Sequence, residues 1–160
     1  MSRISSHAAA TMTVTVKEAV TINGRDYGST QNFSMASIAD VNRRVITVTT
    51  TEASILSFGA ATAGGTFIPA KVKYMRFTNL DGTNFITLTF TNEDNDEVAI
   101  KVDAGQSFIW AADNSGGMVD VFNAIAGDAA SDTALGDMKL VQADANTGSC
   151  DLEIFVASVA

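Results

Sequence analysis

Apolar residues in this chain recur at every second position, as in Met12, Val14 and Val16 and again in Val98, Ile100 and Val102. Successive side chains of a β-strand point to opposite faces, so this period encodes half-buried strands; no sustained helical stripe accompanies it. Candidate strands run over 11–22, 30–36, 44–50, 53–58, 71–79, 84–91, 97–103, 107–111, 118–123, 137–143 and 150–158. Turn signals separate them at Asn23-Gly24, Gly64-Gly65, Asp81-Gly82, Asp113 to Gly117 and Asn146 to Gly148. Two stretches read as short helices instead, 37–43 (SIADVNR) and the Ala-rich piece from Asp128 to Leu135. Many short strands at this spacing, with a single proline at Pro69, predict an all-β fold, an antiparallel sandwich or barrel.

A chain of 160 residues that is 46% hydrophobic and 18% charged has enough apolar material for one folded core. The division expected is an N-terminal arm with the first strands over 1–40, and a β-sandwich domain over 41–160.

The middle of the chain can be tested for self-consistency, because loop length sets hairpin register. With Asp81-Gly82 as a two-residue loop, Phe77 faces Ile86 and Met75 faces Leu88. With Asn92 to Asp96 as a five-residue loop, Phe90 faces Val98, Leu88 faces Ile100 and Ile86 faces Val102. Both registers put apolar residues on one face, and the acidic run Asn92 to Glu97 then falls at a solvated turn. The opposite face carries Tyr74, Arg76, Thr78, Phe85, Thr87 and Thr89. Tyr74 and Phe85 are large for a face that meets only water. Together with Arg76 they are candidate interface residues, joined by Phe108 and Trp110 of the run FIW, which read as core first and as interface otherwise.

Catalytic and metal chemistry finds little to work with. An EF-hand loop begun at Asp94 would need glycine sixth and glutamate twelfth, but Ala99 and Gly105 stand there. Begun at Asp144, it would place Ser149 and Phe155 there. With one histidine, His7, and one cysteine, Cys150, the chain can build neither a zinc cluster nor a well-supported nucleophile–base pair. No catalytic, metal or cofactor site is therefore expected, and the chain reads as a non-enzyme. A net charge of -8 disfavours nucleic acid and anionic membranes as partners. No run approaches the roughly 18 apolar residues of a membrane span.

The segments RRVITVTTTEASILSFGAA, VKYMRFTNLDGTNFITLTFTNEDNDEVAIKVDAGQSFIW and LEIFVASVA resemble small β-rich structural proteins of tailed-bacteriophage virions, of the capsid decoration or knob type. The likeness spans about residues 44 to 158 and is most specific in the stretch ending AGQSFIW. It implies a jelly-roll-like sandwich on the capsid exterior, acting as a cement or knob protein. The implied partners are the major capsid protein or other virion proteins and further copies of the chain, with a trimer favoured. The N-terminal 40 residues fall outside the likeness and read as an arm that clamps a neighbouring shell protein. The alternative is a receptor- or carbohydrate-binding module such as a tail-fibre domain, presenting Trp110, Tyr27 or Tyr74 to a sugar.

Overall fold

The computed structural model describes residues 8–60, 66–112, 116–125 and 135–160. They form twelve strands: β1 (Ala10–Glu18), β2 (Thr21–Ile22), β3 (Arg25–Asp26), β4 (Ser29–Val48), β5 (Ala53–Phe58), β6 (Thr66–Phe67), β7 (Val72–Asn79), β8 (Ile86–Asn92), β9 (Glu97–Val102), β10 (Ser107–Ala111), β11 (Met138–Ala145) and β12 (Cys150–Val159). Among the described residues the only helical turn is a 3-10 turn at Pro69–Lys71, where proline occupies the first turn and needs no N–H partner.

Two five-stranded sheets result, in the orders β1-β4-β12-β7-β10 and β6-β5-β11-β8-β9. Apart from β1 and β6 at the edges, the ladders are nested: β8 pairs with β9, β7 with β10, β5 with β11 and β4 with β12. The chain is thus one long antiparallel ribbon whose tip is the β8–β9 turn, rolled so that successive pairs fall into the two sheets. That is the winding of a jelly roll, an all-β antiparallel sandwich.

The inner faces of the two sheets make the core. Phe77, Met75, Leu152 and Ile154 from one sheet meet Ile86, Leu88, Phe90 and Val141 from the other, all fully buried. Phe77 and Phe90 touch edge to face across the sandwich, with ring centroids 5.8 Å apart. Each such side chain contributes about 1.5–3 kcal/mol of burial energy.

The β8–β9 register is the expected one, with Phe90 opposite Val98, Leu88 opposite Ile100 and Ile86 opposite Val102. The β7–β8 hairpin is not formed. Strand β7 pairs with β12 and β10, and β8 lies in the other sheet, so Met75 and Phe77 face Ile86 and Leu88 across the core rather than beside them. The reason is local. A two-residue hairpin of the favoured kind needs positive φ, and neither Asp81 nor Gly82 has it. Asp81 instead accepts the N–H groups of Thr83 and Asn84 at 2.7 and 2.6 Å, and Asn79 donates to the carbonyls of Asn84 and Val102. These bonds steer the chain from one sheet to the other.

Two further expectations fail. Residues 37–43 are not helical but lie in the middle of β4, where β12 supplies a ladder from Cys150↔Val48 to Val159↔Ile38, with one irregularity between Ser158 and Val159; tertiary pairing overrides a weak local preference. Residues 118–123 form no strand beyond a single Phe122↔Gly136 bridge. Met118, fully buried, plugs one end of the core between the carbonyl of Pro69 and the amide of Met138. The turn at Gly64-Gly65, residues 113–115 and the helix candidate as far as Ala134 lie outside the described residues.

Candidate interaction surface

The outward face of the β4-β12-β7-β10 sheet is set by register. Val41, Ala157, Tyr74 and Ala111 form one row across it, Arg43, Phe155, Arg76 and Ile109 the next, and Val45, Glu153, Thr78 and Ser107 the third. Glu153 sits near the middle, 8% exposed, yet its carboxylate is fully engaged. Arg43 donates to Oε2 from Nη2 at 2.6 Å and from Nε at 2.9 Å, while Arg76 donates to Oε1. Arg76 also lies over the Phe155 ring, 5.8 Å from its centroid. A nearly buried carboxylate clasped from both sides avoids the penalty of an unpaired charge and fixes both guanidinium groups in place. Around it Val41 and Val45 stand about half exposed and Ile109 is also open to solvent.

Strand β4 is 20 residues long, and only its second half belongs to the sandwich. At Ser37 the backbone takes φ 61, and the preceding residues pair with β1 as a separate hairpin arm. Met12, Val14 and Met35 pack with Tyr74, Phe155 and Ala157 in a second, smaller core. Tyr74 is buried as a result, its ring edge-on to Phe155, and desolvation raises its hydroxyl pKa, with the Arg76 charge opposing. Beside it Val14, Val16, Phe33, Tyr74, Ile109 and Ala111 line an apolar cleft of about 230 Å³.

The arm continues to a tip where Ile22 and Arg25 pair across Asn23-Gly24, both with positive φ (51° and 76°), as a tight two-residue hairpin turn requires. Arg25 lies over the exposed Tyr27 ring.

The five interface candidates part company. Tyr74 and Arg76 belong to this outer face, Tyr74 beneath the chain's own arm. Phe85 precedes the opposite sheet, under the Lys101 ammonium at 4.7 Å. Phe108 and Trp110 point into the sandwich, half-buried, with ring centroids 5.4 and 5.2 Å from Phe90. Of the aromatic residues on which a sugar site was to rest, Trp110 and Tyr74 therefore stack inside the fold, and Tyr27 presents its ring. Sequence reasoning did not single out as exposed Val16, Val20, Ile22, Phe33, Val41, Val45 or Ile109, seven of the large apolar side chains that meet solvent.

At the acidic turn Glu93 and Asp94 are exposed, but Asn92 is not the solvated residue expected. It is fully buried; its Oδ1 accepts the Asp96 N–H at 2.8 Å and its Nδ2 donates to the Phe122 carbonyl at 3.0 Å. Gly136 lies so close that a Cβ there would sit 2.7 Å from Asn92 Nδ2. Among the described residues no group of three or more His, Cys, Asp or Glu gathers as a metal site. Cys150 is buried, and desolvation, reinforced by the Asp81 and Asp151 carboxylates, pushes its thiol pKa up. His7 lies outside the described residues.

Set against known proteins, the chain matches no family model, no curated protein and no solved structure. The virion resemblance thus rests on the quoted segments alone.

Proposed function

We propose that this chain is a non-enzymatic structural protein of a tailed-phage virion, decorating the capsid exterior as a cement or knob protein. The observation that carries the reading is the arm. Of the eleven large hydrophobic side chains exposed among the described residues, five (Val16, Val20, Ile22, Tyr27 and Phe33) belong to it. Apolar side chains displayed on a projecting hairpin are surface awaiting a cover, and a neighbouring shell protein is a cover of the right kind. A jelly roll with rigid nested ladders suits a protein whose work is to hold shape and present surface. The net charge of -8 favours the outside of a shell over contact with packaged DNA.

The test is co-sedimentation of the purified chain with intact heads of the phage that encodes it, with free glycans as the contrasting ligand. Saturable binding to heads that is lost when Ile22 and Tyr27 are both replaced by Ser supports the reading. Failure to bind heads, or a gene lying outside any block of virion genes, overturns it.

A further inference from the structure

We propose that two copies of this chain pair through the open edge of β1, in an antiparallel, twofold-symmetric strand addition centred on Val14. The inference stands apart from the virion reading, since it concerns the isolated chain.

Strand β1 is an edge whose one ladder among the described residues is to β4. Alternate N–H and C=O groups along nine residues therefore face outward, a template for another strand unless something blocks it. The other edges are short or guarded. Strand β6 has two residues and β10 has five, while β9 carries Glu97 and Lys101 along its length. Strand β1 has neither proline nor any charge from Ala10 to Val16.

Its sequence is also complementary to itself. With Val14 on the twofold axis, Met12 lies opposite the partner's Val16 and Thr13 opposite the partner's Thr15, so apolar meets apolar on one face and threonine meets threonine on the other. Lys17 meets the partner's Thr11 and Glu18 the partner's Ala10, so no like charges oppose. A shift of one residue sets Met12 against Thr15 or Lys17 and mixes the faces; a shift of two toward the tip sets Met12 against Glu18, and a shift of two the other way keeps the faces but shortens the paired stretch to residues 10–16. For a chain of net charge -8, the contact least opposed by self-repulsion is a neutral one, and this seam is neutral along its centre. The addition would also carry the cleft across the axis. Val16, 40% exposed, and Phe33, 46% exposed, both line that cleft and gain a neighbouring apolar row from the second copy. The contact is isologous, so it closes at two copies, in contrast to the trimer implied by the virion resemblance.

Sedimentation equilibrium on the full chain at tens of micromolar should give twice the 16.7 kDa mass. Thr13 and Thr15 are exposed and face away from the cleft; the one bond a substitution there removes is that from Thr15 Oγ1 to Asn32 Oδ1 at 2.8 Å, and thermal melting of both variants verifies that the fold survives its loss. Thr13→Glu/Thr15→Glu and Thr13→Lys/Thr15→Lys should each be monomeric, because both registered pairs become like-charged. An equimolar mixture of the two should return to the dimer mass. A wild-type monomer or trimer, a dimer untouched by either double variant, or a mixture that stays monomeric would overturn the proposal. A dimer that fails to bind phage heads would leave it standing and remove the virion reading alone.

Discussion

The arm and the sandwich are built from the same alternating code of Thr with an apolar residue, and they end differently. In β8 the alternate residues Ile86, Leu88 and Phe90 are fully buried; in β1 the corresponding Met12 and Val14 are half covered and Val16 lies 40% exposed. Alternation makes a strand and assigns its faces, but it does not provide the second layer that buries one of them. In the body that layer comes from the rolled ribbon, which sets one nested pair over another. In the arm it comes in part from the outer face of β12 and β7, and past Tyr74 it runs out.

That contrast can be broken most severely at Leu88. Leu88→Asp puts an unpaired charge at the centre of the core and should leave no cooperative unfolding transition, while Leu88→Ala should cost about 2–5 kcal/mol in chemical denaturation. Val16→Ala, the same kind of truncation in the arm, should cost about 0.5 kcal/mol or less under conditions that keep the chain monomeric. Equal losses at the two sites would mean that the arm is as well packed as the body.

Asn92 sharpens the comparison at the ribbon's tip. Asn92→Ala orphans the Asp96 amide and removes one of the two donors to the Phe122 carbonyl, the Gly136 N–H remaining, and denaturation should show a loss of about 1–3 kcal/mol. Two and four residues further on, Asp94 is exposed and Asp96 half-exposed, so replacing both with Asn should move stability by no more than about 0.5 kcal/mol. A calcium-dependent melting point abolished by that double variant would refute the assignment of the turn as solvated.

A pH effect belongs to the inter-sheet link. The Asn84 and Thr83 amides hold the Asp81 carboxyl below its usual range. With the folded value below the unfolded one, the folded chain binds that proton less tightly. The contribution is present in full above the ordinary aspartate value of about 3.9 and is lost as pH falls through the folded value. Asp81→Asn, whose side-chain oxygen still accepts both amides, should flatten the acid limb of melting temperature against pH and leave the neutral region nearly unchanged. Superimposable acid limbs would show that Asp81 contributes nothing there.

Where partner strands adjoin through a short turn, pairing was legible from residues alone. The β8–β9 register followed from counting outward from the acidic turn, because a slip would set Leu88 against Lys101. The Asn23-Gly24 turn was legible for the same reason. Asp81-Gly82 looks much the same in one-letter code, but it turns the chain out of its sheet through side-chain bonds that no periodicity reveals. Residues 37–43 were illegible because their partner, β12, lies more than 100 residues away. The interface candidates suffered similarly: Trp110 and Ile109 are neighbours in FIW, and nothing in that run says which faces Phe90 and which faces water.

By itself the amino-acid order determined that the described residues are mainly strand, where the tip of the ribbon lies and that the acidic run Glu93 to Glu97 falls at a turn, since each of these is settled by interactions within about a dozen residues. The tertiary structure alone decided which strands became neighbours, that Glu153 would be clasped by Arg43 and Arg76, and that the arm would display its valines. Burial and pairing between distant segments depend on how the ribbon rolls, and rolling is a property of the whole chain, which no local pattern encodes.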